Sequence, residues 1–551
     1  MASGKAWNRR LALAGGAVLA AGAGYRVFGS RHGTARHAAE PGTLYRGNVA
    51  EPESLDPSLV QGQQEEEIVG DLIVGLLDTD PLGRPVPGMA THWKSSPDGL
   101  TWTFYLRNAL WSDGKPVTAD DFVFGWRRLL DPATASIYAY FGYVMLNAVA
   151  INKGKMPITA LGARAVDDHT LELQLEHPAP YMLQMMTHTS MYPQPRHVVE
   201  AKGRAWAQPG NYVGNGPFLL KEWVPNGHVT LEKNPLFFDA ANVSLKKVVF
   251  YPTDDYGAAL QRFRAGELDF QDRLPGEQID WIRQHMPETL NPVPQLITDM
   301  IAVNLQRKPF DDIRVRRAIN LAIDREAICA RVLRGLYVPA YSLVPPKTAN
   351  YPGGAFLDFQ HTPIAARLAQ ARVLMQQAGF GADNPVRSTL MTRATTVGIY
   401  RSVAAALQQM LAQIHIHVSI LPSDMMMFYD TIQEHDFDMS YPGWQADFDD
   451  ASTFLELFIT GGGNNWGNYK SPAYDQTLKA AQQDPDLASR GRKLAAAETI
   501  LLRDEAIMPL YFWTSQTLTR PYVHGLESNA LDYHRSRWIT IDEQARARLF
   551  A

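Results

Sequence analysis

The chain has 551 residues, with 52 Lys and Arg against 57 Asp and Glu, a formal net charge of −5, and 46% hydrophobic and 20% charged residues. That length exceeds one compact core and predicts two or three globular domains. The charge gives no electrostatic footprint for nucleic acid, which needs a clustered basic surface, and a single cysteine, Cys329, excludes intrachain disulfides and cysteine-based zinc clusters.

At the N-terminus, Arg9-Arg10 precede the short apolar run "LALAGGAVLAAGAG" (11–24), so residues 1–24 read as an export signal. Fourteen residues span only about 21 Å as a helix, too short for a bilayer core of about 30 Å. The paired arginines point to the twin-arginine route, with general export as the alternative. No later run is long enough to span a membrane, and no cysteine follows the signal to carry a lipid. The expected location is the periplasm of a double-membraned bacterium.

Residues 25–42 are small, polar and aperiodic, and read as a linker. "TWTFYLR" (101–107) alternates Trp102, Phe104 and Leu106 on one face, as a half-buried strand does. "TADD" (118–121) reads as a capping box, and the helix it opens carries Phe122, Val123, Trp126, Leu129 and Leu130 in one stripe up to Asp131-Pro132. "HTLELQL" (169–175) alternates again. "FLLKEWVPNGHVTLE" (218–232) is two strands around Pro-Asn-Gly, because Asn-Gly accepts positive φ. "VRRAINLAIDREAICARVL" (315–333) repeats apolar residues at helical spacing, with Cys329 in its core and Gly335 as C-cap. "IHIHVSI" (414–420) is a strand. The class is mixed α and β.

A hydrolase should show its nucleophile or its metal. The sequence has no G-x-S-x-G elbow, H-E-x-x-H, P-loop or G-x-G-x-x-G. His415 and His417 share a strand face and are the best metal candidates, against the plainer reading of a solvated face. Met425-Met426-Met427 suggests soft-metal chemistry, but three consecutive methionines cannot converge on one point of a regular element, so packing or an adaptable pocket wall is expected. No catalytic residue, metal or cofactor is assigned.

"GWQADFDDASTF" (443–454) crowds Asp447, Asp449 and Asp450 into what reads as a helix N-terminus. Asp447 could face a helix dipole, a metal, or a positive charge arriving from outside.

"SLDP" (54–57), "WTFYLR" (102–107) with "WSDGKPVTADDFVFGWRRLLDP" (111–132), "NGPFLLKEW" (215–223), "PFDDIRVRRAINLAIDRE" (309–326) and "GWQADF" (443–448) occur in this order. Together, from about Leu44 to the C-terminus, they resemble the oligopeptide-binding proteins of peptide ABC transporters, a branch of the extracellular solute-binding proteins. The resemblance implies two lobes closing about a hinge, with an additional domain. Lobe I would comprise 43–73, 198–299 and 514–551; residues 74–197 would form the extra domain and 300–513 the second lobe.

It also implies that Asp447 pairs with the α-ammonium of an extended peptide, whose backbone is held without reading side chains. Gly443, Trp444, Gln445 and Ala446 would line one side, Gln61, Gly62 and Gln63 the facing segment, and Tyr138 would come from the extra domain. Tyr441 and Asn320 stand where basic groups would meet the peptide carboxylate, and no histidine lies in 391–401; Arg393 or Arg401 would have to compensate. The implied protein is a non-enzymatic monomer that hands an oligopeptide to the inner-membrane permease subunits of an ABC transporter. A cell-wall peptide, haem, a metal chelate or a glycan is the alternative ligand, and a secreted hydrolase the reading from another class.

Overall fold

The computed structural model describes residues 40–290, 292–394 and 398–550. The expected export signal and most of the linker lie outside these residues. The last linker positions are already tied into the fold: the Gly42 N–H donates to Glu543 at 2.6 Å, and the Gly42 carbonyl accepts from Lys246 at 2.8 Å.

Three main sheets carry the architecture, each against its own apolar core. The first has six strands, with Thr43–Gly47 paired in parallel to Lys247–Tyr251. Its far edge is the hairpin Phe218–Val224 and His228–Lys233. The turn works as its residues predict: Asn226 takes φ +56° and the Gly227 N–H closes onto the Val224 carbonyl at 2.8 Å.

The second sheet has four antiparallel strands, including Thr101–Leu106 and Thr170–Gln174. Helix Ala119–Leu130 packs on it through Phe122, Val123, Trp126, Leu129 and Leu130, all buried. Its start is closed by Asp121, which accepts from the Thr118 N–H at 2.9 Å.

The third sheet has seven strands around Pro294–Val303. This strand takes Met508–Thr514 on one side, and Met439–Tyr441 and Gly443–Gln445 in succession on the other.

Three expectations change. The long helix over 315–333 is broken: Ile313–Ala322 ends at Ile323, and Asp324 caps a new turn by accepting from the Ala327 N–H at 3.0 Å. The chain continues as a π-turn over Ile328–Val332, in which Cys329 is buried, and Gly335 then takes φ +69°. A capping aspartate here outweighs a periodicity that runs straight through it.

Met425, Met426 and Met427 open the helix Met425–Gln433 and are 45%, 77% and 61% exposed, so they are not packing residues. His415 precedes the strand Ile416–Ser423 at φ +62°, and so shares no strand face with His417. Among the described residues no three metal-ligating groups cluster, and no helix is long and apolar enough to cross a membrane.

Candidate functional site

Strand Gly443–Gln445 runs antiparallel to Pro294–Val303, with Asp299 opposite Gly443 and Ile297 opposite Gln445. The Ala446 N–H still bonds to the Leu296 carbonyl at 2.8 Å, and the chain then leaves the sheet. Asp447 is therefore not a helix-end residue: the next helix, Ser452–Leu455, starts five positions later.

Asp450 serves that helix by accepting from the Ser452 N–H at 2.9 Å, and it holds the buried Arg490 in a two-pronged pair at 2.7 and 2.8 Å. Asp449 accepts from the Ala349 N–H at 2.8 Å. Asp447 alone is left without local work. It is half-buried, no Lys or Arg pairs with it among the described residues, and its one hydrogen bond comes from a neutral donor, the Tyr140 hydroxyl at 2.9 Å.

Burial pushes the Asp447 carboxyl up to about 6; the Tyr140 bond and His188 pull the other way, and the charge of Glu66 adds to the rise. A desolvated carboxylate without a counter-charge is costly, and an arriving cation removes that cost.

The surroundings come from all three cores. Tyr140 sits on the 3₁₀ turn Ala139–Val144, beside Tyr138 with ring centroids 5.8 Å apart. Phe448 stacks on Tyr181 at 5.0 Å and meets Phe141 edge-on at 6.2 Å, gripping the segment that carries Asp447. Tyr138 also lies 4.8 Å from His188. The Ser190 N–H donates to His188 Nδ1 at 3.2 Å, which leaves Nε2 to donate to Glu66 Oε1 at 2.9 Å. Burial pushes Glu66 up, but His188, Tyr533 and Arg535 together hold it below the usual carboxylate range. Glu66 lies on helix Gln63–Leu72, so the group joins residues more than 300 positions apart.

Gly62 precedes that helix, and its N–H donates to Glu65 at 2.9 Å. Gln63 bonds the Asp532 carbonyl and accepts from Arg273, both at 3.0 Å. Gln63, Arg273 and Asp532 line a narrow crevice with Gln295, Gln445 and Ala446. Gln295 is buried there, and both of its polar side-chain atoms lack a hydrogen-bond partner. Gln61 points outward, bonding Glu53 at 3.2 Å. Trp444 is half-buried, with its indole N–H 3.3 Å from Thr453 Oγ1.

Of the positions weighed for a ligand carboxylate, Tyr441 and Arg393 come together beside Asp299, while Asn320 is engaged elsewhere. Asn320 is buried inside the third core, where it donates to Glu505 at 2.6 Å and accepts from Arg325 at 2.5 Å. Tyr441 is buried, in hydroxyl contact with Tyr511, which in turn donates to Asp299 at 2.6 Å. Arg393 is buried and paired with Asp299 at 2.9 Å, under the rings of Tyr400 and Tyr441. A Cβ at Gly443 would run into the Asp299 carboxylate. Arg401 is exposed. Sequence reasoning missed Tyr140, His188, Glu66, Asp299 and Gln295. The "SIYAY" run that flagged Tyr138 contains Tyr140, but nothing local shows which ring reaches Asp447.

Residues 84–466 match the family model "Bacterial extracellular solute-binding proteins, family 5 Middle". The chain is 37% identical to the periplasmic oligopeptide-binding protein of Salmonella typhimurium over 88% of this chain and 90% of that one. It is 36% identical to a probable deoxycholate-binding periplasmic protein of Escherichia coli, over 91% and 94%. A periplasmic murein tripeptide-binding protein, solved in its unliganded open form, superposes with a TM-score of 0.81 at 34% identity, covering 91% of this chain and 98% of that one. The chain belongs to the family 5 extracellular solute-binding proteins, and its fold is their two-lobed α/β architecture.

Proposed function

We propose that this family 5 solute-binding protein is the periplasmic receptor of a peptide ABC importer. It binds oligopeptides as extended strands, pairs their α-ammonium with Asp447, and delivers them to inner-membrane permease subunits without chemical change. The observation that carries the reading is a half-buried carboxylate with no cationic partner among the described residues, its carboxyl raised to about 6 by burial. Such a group is poised for an ammonium supplied from outside.

In this reading residues 43–73, 198–299 and 514–551 form lobe I, residues 74–197 the extra domain that brings Tyr138, and residues 300–513 the second lobe. Gly443 to Ala446 and Gln61 to Gln63 flank the ligand backbone. Arg393, already neutralised by Asp299, leaves the far end of the ligand loosely read, which favours peptides with variable or modified C-termini.

A second reading, a ligand with no free amine, is favoured by the similarity to a probable deoxycholate-binding protein. Mass spectrometry of what co-purifies with the periplasmic protein separates them. Recovery of molecules with a primary amine supports the peptide reading; recovery of amine-free steroids or other acids overturns it.

A further inference from the structure

We propose that Tyr140 is a positioning residue for Asp447, holding its carboxylate so that the site takes a primary ammonium in preference to an N-alkylated one. This rests on the reading of Asp447 as the ammonium partner. The Tyr140 hydroxyl donates to Asp447 Oδ1 at 2.9 Å although the residue is 43% exposed, so burial does not account for its placement.

The two residues are also fixed relative to each other. Phe448, next to Asp447, is clamped by Tyr181 and Phe141, and Phe141 lies 5.4 Å from Tyr140 on the same turn. A hydroxyl has one hydrogen and two lone pairs. With the hydrogen committed to Oδ1, the lone pairs of the phenol oxygen and Oδ2 remain as neighbouring acceptors. A primary ammonium has three N–H groups to offer them, and each methyl group removes one.

The other ionisable groups facing Asp447 are Tyr138, His188 and Glu66. The Tyr138 hydroxyl and His188 Nε2 both bond Glu66, so neither is committed to Asp447 as the Tyr140 hydroxyl is. The Tyr140 bond also opposes the burial that lifts the Asp447 carboxyl, which gives a readout that needs no ligand.

Tyr140→Phe keeps the ring contacts and removes only the hydroxyl. In the ligand-free mature protein, the Asp447 side-chain carboxyl is titrated by ¹³C NMR, its signal assigned by its loss in Asp447→Asn. The Phe variant should titrate at higher pH than the wild type; an unchanged midpoint overturns the positioning role. The same signal is then followed with methylammonium and with tetramethylammonium as probes. In the wild type methylammonium should act at a concentration at least about fivefold lower, since it alone can donate charge-assisted hydrogen bonds, and the ratio should shrink in Tyr140→Phe. Equal ratios in the two proteins overturn the proposal. Absence of binding to trialanine in calorimetry, with both NMR results as expected, would count against the peptide reading alone.

Discussion

Replacing Asp447 by Asn should weaken ligand binding and strengthen the ligand-free fold at the same time. Asn is close in shape and still accepts from the Tyr140 hydroxyl, now 2.9 Å from Asp447 Oδ1. What it removes is the charge. Truncating one side of a buried charge pair costs about 2–5 kcal/mol, or roughly 30-fold to several thousand-fold in affinity.

The stability effect runs the other way. The folded carboxyl stands at about 6 against 3.8 for the free group, which corresponds to at most about 3 kcal/mol spent on ionising it in the fold. Asp447 is not fully enclosed, so solvent reduces this to roughly 1–2 kcal/mol. A raised carboxyl favours folding below its unfolded value and loses that contribution as pH climbs through the folded one. The Asn variant should therefore gain stability at pH 7, and the gain should fade towards pH 4. Denaturant unfolding at the two pH values measures this, and calorimetry on free and N-acetylated peptide with both proteins measures the pairing. The losses from acetylation and from Asn should be strongly non-additive, because both remove one interaction. Additive losses, full binding by the Asn variant, or lower stability at pH 7 would return Asp447 to a purely structural role.

Affinity for a free-amine peptide should fall by up to about tenfold per pH unit below about 6, because the site must first lose its proton. The Asn variant should lack this slope even though Tyr138, Tyr140, His188 and Glu66 still face the position; calorimetry across pH 4.5–8 checks it. Asp450→Asn leaves Arg490, 1% exposed, without its partner and should cost about 3–5 kcal/mol of stability with little effect on ligand, read by denaturant unfolding. Amidating a peptide's C-terminus should change binding by less than about 1 kcal/mol, since Arg393 is already held by Asp299; a tenfold loss in calorimetry would mean that another cation grips the carboxylate.

Local signals in the sequence determined local structure. Alternation at Trp102, Phe104 and Leu106, the Thr118–Asp121 box and the Asn226-Gly227 turn each act within a few residues, and the strand, helix and hairpin follow. The crowding of aspartates drew attention to Asp447, but only the family resemblance gave it a role, because three aspartates near a helix read equally well as caps.

Tertiary structure decided how those aspartates divide the work. Asp450 meets Arg490 and Asp449 meets the Ala349 N–H, while Asp447 meets a phenol 307 positions away in the chain. It also placed Asn320 against Glu505 and Arg393 against Asp299, partners with no sequence proximity to announce them. The physical reason is range. Backbone propensities act over a turn or a strand pair, whereas desolvation and charge pairing depend on which distant surfaces are pressed together. Those surfaces leave Asp447 short of a counter-charge.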